Sequence, residues 1–241
     1  MPGTHDGGRK AGPPIHNALL RKLPGPDRDR LLPLMQHIEL PLKAVLFEQD
    51  GPLPAVYFIE SGTISMIAGL ADGAATEVGL VGPEGLAGLP LLLSAPTSPF
   101  EAVVQLAGSA WRLPASECQA ALLGHAVVAA IMLRYVDSFH FQVAQTAVCN
   151  SRHQVEQRLA RWLLMTHDRS PGDRFSMTHE FLSKMLGVRR PGVTLALGAL
   201  TRAGLVQHER GAVHVVDRGG LEAAACECYA NVRRRYEWLA S

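Results

Sequence analysis

The chain has 241 residues, a formal net charge of +1, and a composition that is 47% hydrophobic and 19% charged. This length and hydrophobic content allow two packed domains. No uncharged apolar run reaches the roughly 18 to 20 residues of a membrane span, and residues 1–10 lack the hydrophobic region of a signal peptide. We therefore expect a soluble cytoplasmic protein that has no membrane partner.

The first 123 residues divide into a short leading segment and a predicted β domain. Residues 1–20 begin with glycine, proline and charged residues, which predicts a disordered or partly ordered segment. In residues 21–123, short runs of strand-forming residues alternate with turns that contain glycine, among them Ser61-Gly62 and Ala107-Gly108. The runs lie at residues 44–47, 56–60, 63–67, 76–81, 102–106 and 110–113. This spacing predicts a jelly-roll barrel that serves as a sensor domain.

A β barrel of this kind also occurs in metal-dependent enzymes of the cupin type, which need histidines on their strands to hold the metal. None of the ten histidines lies between residues 38 and 124. The sequence also contains no phosphate-binding loop and no nucleophile elbow. We therefore expect neither an enzyme nor a bound cofactor.

The long stretch after the barrel, residues 124–152, is predicted to form a dimerisation helix. Apolar residues recur in it at helical spacing, namely Val128, Ile131, Met132, Tyr135, Phe139 and Val143. The apolar run from Ala126 to about Cys149 would form a helix about 36 Å long, with a stripe too apolar to face solvent. Packing against the same helix of a second copy would bury the stripe, and packing on its own barrel is the alternative. The prediction is a homodimer.

Residues 153–241 are predicted to form a winged helix-turn-helix domain with a C-terminal helix. Thr178 can cap a first helix, Gly187 can end it, and Pro191 fits only the first turn of a second helix. The second helix has one apolar face, formed by Val193, Ala196, Leu197 and Leu200. Residues 205–216 alternate about a turn at residues 210–211, which predicts a hairpin wing. A helix pair followed by a hairpin is typical of proteins that bind duplex DNA.

The charge distribution favours this interpretation. From residue 151 onward the chain has 14 lysines and arginines against 9 acidic residues, whereas the first 150 residues have 9 against 13. Cations in the helix-turn-helix half can face phosphates.

The cysteines allow two interpretations. They are Cys118, Cys149, Cys226 and Cys228. Residues two apart on a helix point about 200° from each other, which argues against a shared ligand site at Cys226 and Cys228. Reduced structural thiols are therefore expected, with redox sensing or metal capture by this pair as the alternative, and we predict no metal site.

The order of a β barrel, a long helix and a winged helix-turn-helix resembles the CRP/FNR family of bacterial transcription regulators. The resemblance covers residues 20–220 and is strongest at residues 82–89 (GPEGLAGL), which look like the family's phosphate-cassette turn, and at residues 153–164 with the helix-turn-helix. It implies an α+β fold with a cyclic-nucleotide-binding-like jelly-roll barrel. It also implies double-stranded DNA as a partner, a second copy of the chain as another, and RNA polymerase as a candidate.

The family reads bases with side chains at the start of the second helix. By this resemblance Arg190 takes the position of an arginine that binds guanine O6 and N7. Pro191 and Leu195 stand where relatives often carry a glutamate and a second arginine. We expect Arg189 and Thr194 to assist, Leu195 to touch a thymine methyl, and Thr178, His179 and Arg210 to contact phosphates.

The resemblance also locates an effector pocket at Gly85, Leu86, Ala87 and Gly88. Members that bind cyclic AMP carry a glutamate for the ribose and an arginine for the cyclic phosphate. Leu86 stands at the glutamate position, and residues 93–103 contain no arginine or lysine. A phosphodiester charge would lack a countercharge there, so cyclic AMP is not expected as the effector, whose identity the sequence leaves open.

The sequence thus predicts a dimeric, sequence-specific DNA-binding transcription regulator. The alternative is a small-molecule-binding module whose helix-turn-helix makes protein contacts.

Overall fold

The structure is a computed structural model that describes residues 14–209 and 211–239. The α-helices are α1 (Ala18–Lys22), α2 (Gly25–Leu31), α3 (Ala115–Cys118), α4 (Ala126–Arg152), α5 (Val155–His167), α6 (His179–Leu186), α7 (Arg190–Arg202), α8 (Arg218–Ala224) and α9 (Cys228–Tyr236). The strands are β1 (Gln36–Leu40), β2 (Val45–Phe47), β3 (Ala55–Gly69), β4 (Ala75–Val81), β5 (Leu86–Ala87), β6 (Glu101–Pro114), β7 (Arg174–Ser176), β8 (Val206–Glu209) and β9 (Ala212–Val215). Short 3-10 or π turns cover Leu32–Leu34, Leu89–Leu93, Gln119–Leu123 and Glu237–Leu239. The predicted α+β class is confirmed.

The N-terminal domain is built around two long antiparallel strands, β3 and β6. Among the described residues they belong to a six-stranded sheet of order β1-β6-β3-β4, in which β2 also pairs with β6 and β5 with β3. Register shifts interrupt the pairing of β3 with β6, and such bulges bend the strands and let the sheet curl around its core. The core includes Phe58, Ile59, Ile64 and Leu113.

Two predicted turns of this domain are wrong, because both are bulges within long strands. Ser61-Gly62 and Ala107-Gly108 do not separate strands but lie opposite each other as the bulges of β3 and β6. Gly62 has a φ of 82°, and a Cβ there would lie 2.4 Å from the carbonyl oxygen of Leu106. Glycine is needed at these points because the two backbones approach closely, so the predicted strand pairs fuse into β3 and β6.

Residues 14–20 of the predicted disordered or partly ordered segment are ordered and pack on the sheet domain. Asn17 is completely buried, and its side-chain amide donates to the carbonyl oxygens of Ile59 (2.9 Å) and Gly85 (2.7 Å). Its side-chain oxygen caps α1 by accepting from the backbone N–H of Leu20. These bonds fasten α1 over the end of the sheet, and residues 1–13 lie outside the described part.

The long helix α4 packs on the sheet of its own chain. The predicted dimerisation residues Val128, Met132, Tyr135 and Phe139 are buried in the core of the sheet domain, and Ile131 and Val143 pack partly buried against it. Val128, Met132, Tyr135 and Phe139 are therefore covered by their own chain, which was the alternative, whereas Ile131 and Val143 stay partly exposed and remain predicted dimer contacts. The sheet core is open on this side, and burying the stripe within one chain closes it.

The C-terminal domain has the predicted winged helix-turn-helix order. It contains α5 to α7, followed by the hairpin β8-β9, whose outer neighbour is β7 within the described residues. Its hydrophobic core includes Leu159, Leu163, Leu182, Leu197 and Val213. The helices bury the apolar faces that their sequence spacing predicted.

The two domains share an extensive interface. Ile67 and Leu80 of the sheet are buried together with the core of the C-terminal domain. Two polar contacts also cross the interface. Trp162 Nε1 donates to the buried carboxylate of Glu77, and the guanidinium of Arg169 donates to Glu84. The C-terminal domain is therefore held against the sheet domain.

The helix α9 lies against α4 rather than only against the winged helix domain to which the sequence assigned it. Gln142 of α4 donates to the hydroxyl of Tyr236 (3.0 Å), and Trp238 Nε1 donates to the hydroxyl of Ser138 (3.0 Å). Tyr236 and Trp238 also pack against the core of the sheet domain. The C-terminal segment thus bridges both domains.

Within the described ranges no single helix is both long and apolar enough to cross a membrane. Ala115–Leu123 and Ala126–Arg152 reach that length and composition only as a pair, which is bent by 112°.

Candidate DNA-binding surface and effector pocket

The helices of the helix-turn-helix begin and end at the residues that the sequence predicted. The hydroxyl of Thr178 accepts from the backbone N–H of Phe181 (3.1 Å) and caps α6. Gly187 ends α6 in the left-handed conformation with a φ of 61°. Pro191 occupies the first turn of α7, where its missing N–H costs no helical hydrogen bond. Both helices are thus positioned by local residue choice.

The free face of α7 carries the predicted base-reading side chains. Arg190 and Leu195 are exposed to 61% and 69%, and Arg189 is exposed as well. The Arg190 guanidinium pairs with the carboxylate of Glu180 at 2.5 Å. Because both side chains are exposed, the ion pair stabilises little and a phosphate or base edge can replace it. Glu180 as a holder of Arg190 was not predicted from the sequence.

His179 differs from its predicted role at phosphates. Its Nδ1 lies 3.1 Å from the hydroxyl of Thr194, and its ring stacks on that of His208 with centroids 4.7 Å apart. Its Nε2 is buried and has no hydrogen-bond partner among the described residues. His179 therefore orients Thr194 from below the surface and does not itself present a donor to DNA. Thr178 is exposed, and Arg210, the remaining predicted phosphate contact, lies outside the described residues.

A cavity of 340 Å³ lies between the sheet and α4. It is lined by Met66, Val81, Leu86, Ala87, Gly88, Leu89, Pro90, Leu93, Ser98, Pro99, Phe100, Val136, Phe139, His140 and Val143. Three predicted effector residues, Leu86, Ala87 and Gly88, are among them. The lining is apolar except for Ser98 and His140, and none of its described residues is a lysine or arginine.

The fourth predicted effector residue, Gly85, is not part of the cavity wall, which corrects that prediction. Its N–H donates to the carbonyl oxygen of Gly82, and a Cβ on it would lie 1.9 Å from the hydroxyl oxygen of Tyr135. The glycine therefore serves close packing of the turn on α4. Its amide is already used and does not bind an anion.

The turn that borders the cavity is connected to the DNA-binding domain by Arg169, just after α5. The Nε and Nη2 atoms of Arg169 donate to Glu84 Oε1 at 2.9 and 2.7 Å, and its Nη1 donates to the carbonyl oxygen of Met165. Glu84 also accepts from the backbone N–H of Gly82 (3.1 Å). These contacts join the turn to the end of α5. The link was not predicted, because the two residues are 85 apart in the chain.

The cysteines also occupy different surroundings from those expected. Of the pair Cys226 and Cys228, Cys226 lies in the loop between α8 and α9 and only Cys228 is helical. The 200° separation that argued against a shared site applies to a helix, so the argument fails here. Both thiols point toward the end of α4, where Cys149 and His153 lie.

Two domain families match this chain, the cyclic nucleotide-binding domain over residues 37–125 and the Crp-like helix-turn-helix domain over residues 157–224. No curated protein sequence matches it significantly. Among solved structures, FixK2 from Bradyrhizobium japonicum is similar with a TM-score of 0.68 and 18% identity, over 80% of this chain and 98% of that one. A CRP-family transcriptional regulator from Thermus thermophilus is similar with a TM-score of 0.64 and 20% identity, over 79% and 96%.

The c-di-GMP responsive global regulator CLP from Xanthomonas campestris is a third similar structure, with a TM-score of 0.64 and 17% identity over 80% of this chain and 99% of that one. At these identities the likeness shows the common fold. The chain spans nearly the whole length of each of these proteins.

Proposed function

Since this chain belongs to the CRP/FNR family of transcription regulators, we propose that it binds a specific duplex DNA sequence as a homodimer. We also propose that an apolar effector controls this binding. The observation that carries the proposal is the free face of α7. That face presents a cation, Arg190, and an apolar side chain, Leu195, away from the protein core. A helix of this kind fits the major groove, where arginine reads guanine and an apolar side chain meets the thymine methyl.

Replacement of Arg190 by alanine should lower the affinity for a cognate duplex by about 1 to 3 kcal/mol, roughly 5- to 150-fold, and relax selectivity at one base pair. Fluorescence anisotropy with a labelled duplex measures both effects. Arg202→Ala is the matched control, because Arg202 is an exposed arginine at the other end of the same helix. If Arg190→Ala binds as tightly and selectively as the wild type, the recognition surface is misplaced.

The homodimer requires a surface other than the buried part of the predicted stripe. The outward side of α4 carries three large exposed apolar residues, Val127, Leu133 and Val148, exposed to 54%, 47% and 51%. Ala130, Leu133, Asp137, Ala144 and Ala147 are exposed on this helix and recur mostly at three- and four-residue spacing. Such spacing suits the seam of two parallel helices, which would place the two α7 helices side by side for a two-fold DNA site.

The cavity supports an uncharged or apolar effector rather than a cyclic nucleotide. A phosphodiester brought among Leu86, Leu89 and Phe100 would be buried without a cation, and an unpaired buried charge is strongly unfavourable. The same reasoning applies to c-di-GMP, to which a relative of this chain responds.

Calorimetric titration of the full chain with cyclic AMP should give no saturable binding tighter than about 1 µM, an affinity that corresponds to roughly 8 kcal/mol. A homologue known to bind cyclic AMP, titrated in the same buffer, serves as the positive control. Submicromolar binding by this chain would contradict the proposed chemistry of the pocket.

A further inference from the structure

Four potential metal ligands meet where α4 ends and α5 begins. They are Cys149, His153, Cys226 and Cys228, and we refer to them as the Cys–His cluster. One ligand atom from each lies within 4.8 Å of the other three. The sulfurs of Cys149 and Cys226 are 3.5 Å apart, and the Cys228 sulfur lies 3.6 Å from His153 Nδ1. None of the four lines the effector cavity, and the proposed function does not use them.

The sulfur–sulfur distance of 3.5 Å and the sulfur–nitrogen distance of 3.6 Å match those around a single tetrahedral ion. Zn²⁺ holds sulfur at about 2.3 Å and nitrogen at about 2.0 to 2.1 Å, so its ligand atoms are roughly 3.4 to 3.8 Å apart. The cysteines are buried, and His153 is 16% exposed, so water competes little for the ion. Three thiols with one imidazole are a donor set that favours Zn²⁺ over hard cations. We propose that the Cys–His cluster binds one Zn²⁺ ion per chain.

The surroundings of the cluster resemble the outer shell of a metal site. With Nδ1 of His153 facing the sulfurs, its Nε2 lies 3.3 Å from the carboxylate of Glu227. A carboxylate in that place fixes the imidazole tautomer in which Nδ1 is free to bind a metal. Gln145 Nε2 lies 3.0 Å from the sulfur of Cys228 and donates to it.

The charge of the loaded site would also be balanced. Three thiolates around Zn²⁺ leave one negative charge. Arg161 interacts electrostatically with Cys149, and Arg158 with both Cys149 and Cys226. Two guanidinium groups near a monoanionic site reduce the cost of burying it.

The position of the ligands would let one bound Zn²⁺ ion connect two segments of the chain. Cys149 and His153 lie one turn apart, in the last turn of α4 and at its C-cap, where the long helix gives way to the DNA-binding domain. Cys226 and Cys228 flank the start of α9. One ion would therefore fasten the C-terminal segment to the junction between the two domains. Binding should fix the orientation of α5, and with it that of the recognition helix.

The test uses the full chain, purified under reducing conditions without a polyhistidine tag. Its metal content is measured by mass spectrometry, and Co²⁺ is titrated as a spectroscopic probe. Wild type should retain about one Zn²⁺ per chain against a competing chelator, and Co²⁺ should give the thiolate charge-transfer and tetrahedral d–d bands. Cys118→Ser is the matched control, because Cys118 is a buried cysteine of the sheet domain outside the cluster.

Cys228→Ser and His153→Ala should each retain less than about one-tenth of an equivalent of Zn²⁺ in the same competition. His153 is near the surface, so its variant keeps the test decisive if a cysteine variant fails to fold. Glu227→Gln, at an exposed side chain, should bind Zn²⁺ roughly 10- to 100-fold more weakly. Added Zn²⁺ should raise the thermal midpoint of wild type and Cys118→Ser but not that of His153→Ala.

Three results would overturn the inference. The wild type could neither retain Zn²⁺ nor give the Co²⁺ bands, or Cys118→Ser could lose as much metal as the cluster variants. A stable Cys149–Cys226 disulfide in a glutathione buffer at the redox potential of the cytosol would be the third. DNA binding is measured separately, so loss of the metal site and loss of the proposed function are distinguishable.

Discussion

Replacing Glu77 by glutamine should raise the free energy of unfolding by about 3 kcal/mol at pH 8, while at pH 5 the gain should fall below about 1 kcal/mol. Glu77 is a buried carboxyl group on β4 at the interface between the domains. Burial raises its pKa from 4.5 to about 7, and the hydrogen bonds from Ser65 and Trp162 offset only part of this effect.

The hydroxyl of Ser65 cannot donate to Glu77 and to Gln105 at the same time. The hydroxyl of Ser65 lies 2.6 Å from Glu77 Oε2 and 2.7 Å from Gln105 Oε1, and it has a single hydrogen to donate. The Gln105 amide is oriented by its donation to the Thr166 hydroxyl (3.2 Å). A protonated Glu77 donates to Ser65, which is then free to donate to Gln105. An ionised Glu77 leaves one acceptor without a donor.

The direction of the pH dependence follows from where the proton is held. Between pH 4.5 and 7 the folded chain keeps the proton on Glu77 and the unfolded chain does not. Stability from this group is therefore highest below pH 4.5, decreases as the pH rises to 7, and is constant above. Glutamine imitates the protonated carboxyl, because its amide can donate to Ser65 and its oxygen can accept from Trp162.

Urea unfolding of wild type and Glu77→Gln at pH 5 and pH 8 measures the difference. Glu39→Gln, at an exposed glutamate on β1, is the control and should show no such pH-dependent gain. An equal effect of Glu77→Gln at both pH values would show that the carboxyl is ionised throughout, contrary to our account of the interface.

Replacing Arg169 by methionine should lower the free energy of unfolding by about 3 kcal/mol. Methionine preserves most of the volume but removes three donors, two to Glu84 and one to the carbonyl of Met165. Glu84 is 21% exposed, so its charge is then mostly buried, and the N–H of Gly82 is its one remaining donor among the described residues. Removal of one partner from a buried pair is costly for this reason.

The same change should uncouple the cavity turn from the DNA-binding domain. Chemical unfolding gives the stability loss, and Arg233→Met, at an exposed arginine of α9, should change it by less than about 0.5 kcal/mol. Adding Glu84→Gln to Arg169→Met should restore part of the loss, since the unpaired charge is then absent. An unchanged unfolding midpoint in Arg169→Met would mean that the ion pair does not stabilise the domain contact.

What the sequence predicted correctly was local. The helix-turn-helix depends on Thr178, Gly187 and Pro191, which begin or end a helix through contacts within one helical turn. Their effect can therefore be predicted without knowing the tertiary structure. The alternation of strand-forming residues likewise predicted the sheet domain. Gly62 was misread as a turn because a glycine that ends a strand and one that allows two strands to cross look alike in sequence.

The errors and omissions concern contacts between distant residues. The apolar stripe of Val128, Met132 and Tyr135 correctly predicted that these side chains are buried. Its periodicity does not indicate whether the sheet of the same chain or a second chain covers them. The Cys–His cluster joins segments far apart in the chain, at His153 and at Cys226. One signal was available: Cys149 and His153 have the four-residue spacing that places two ligands on one helix face.

The most direct test of the proposed DNA reader is selection of binding sites from random duplexes by the full-length wild-type chain, followed by affinity measurements at several salt concentrations. We predict enrichment of a two-fold-symmetric site whose half-sites are about 10 base pairs apart, and an affinity that falls steeply as salt rises. No enrichment, or binding that is insensitive to salt, would contradict the account and favour a helix-turn-helix that contacts protein.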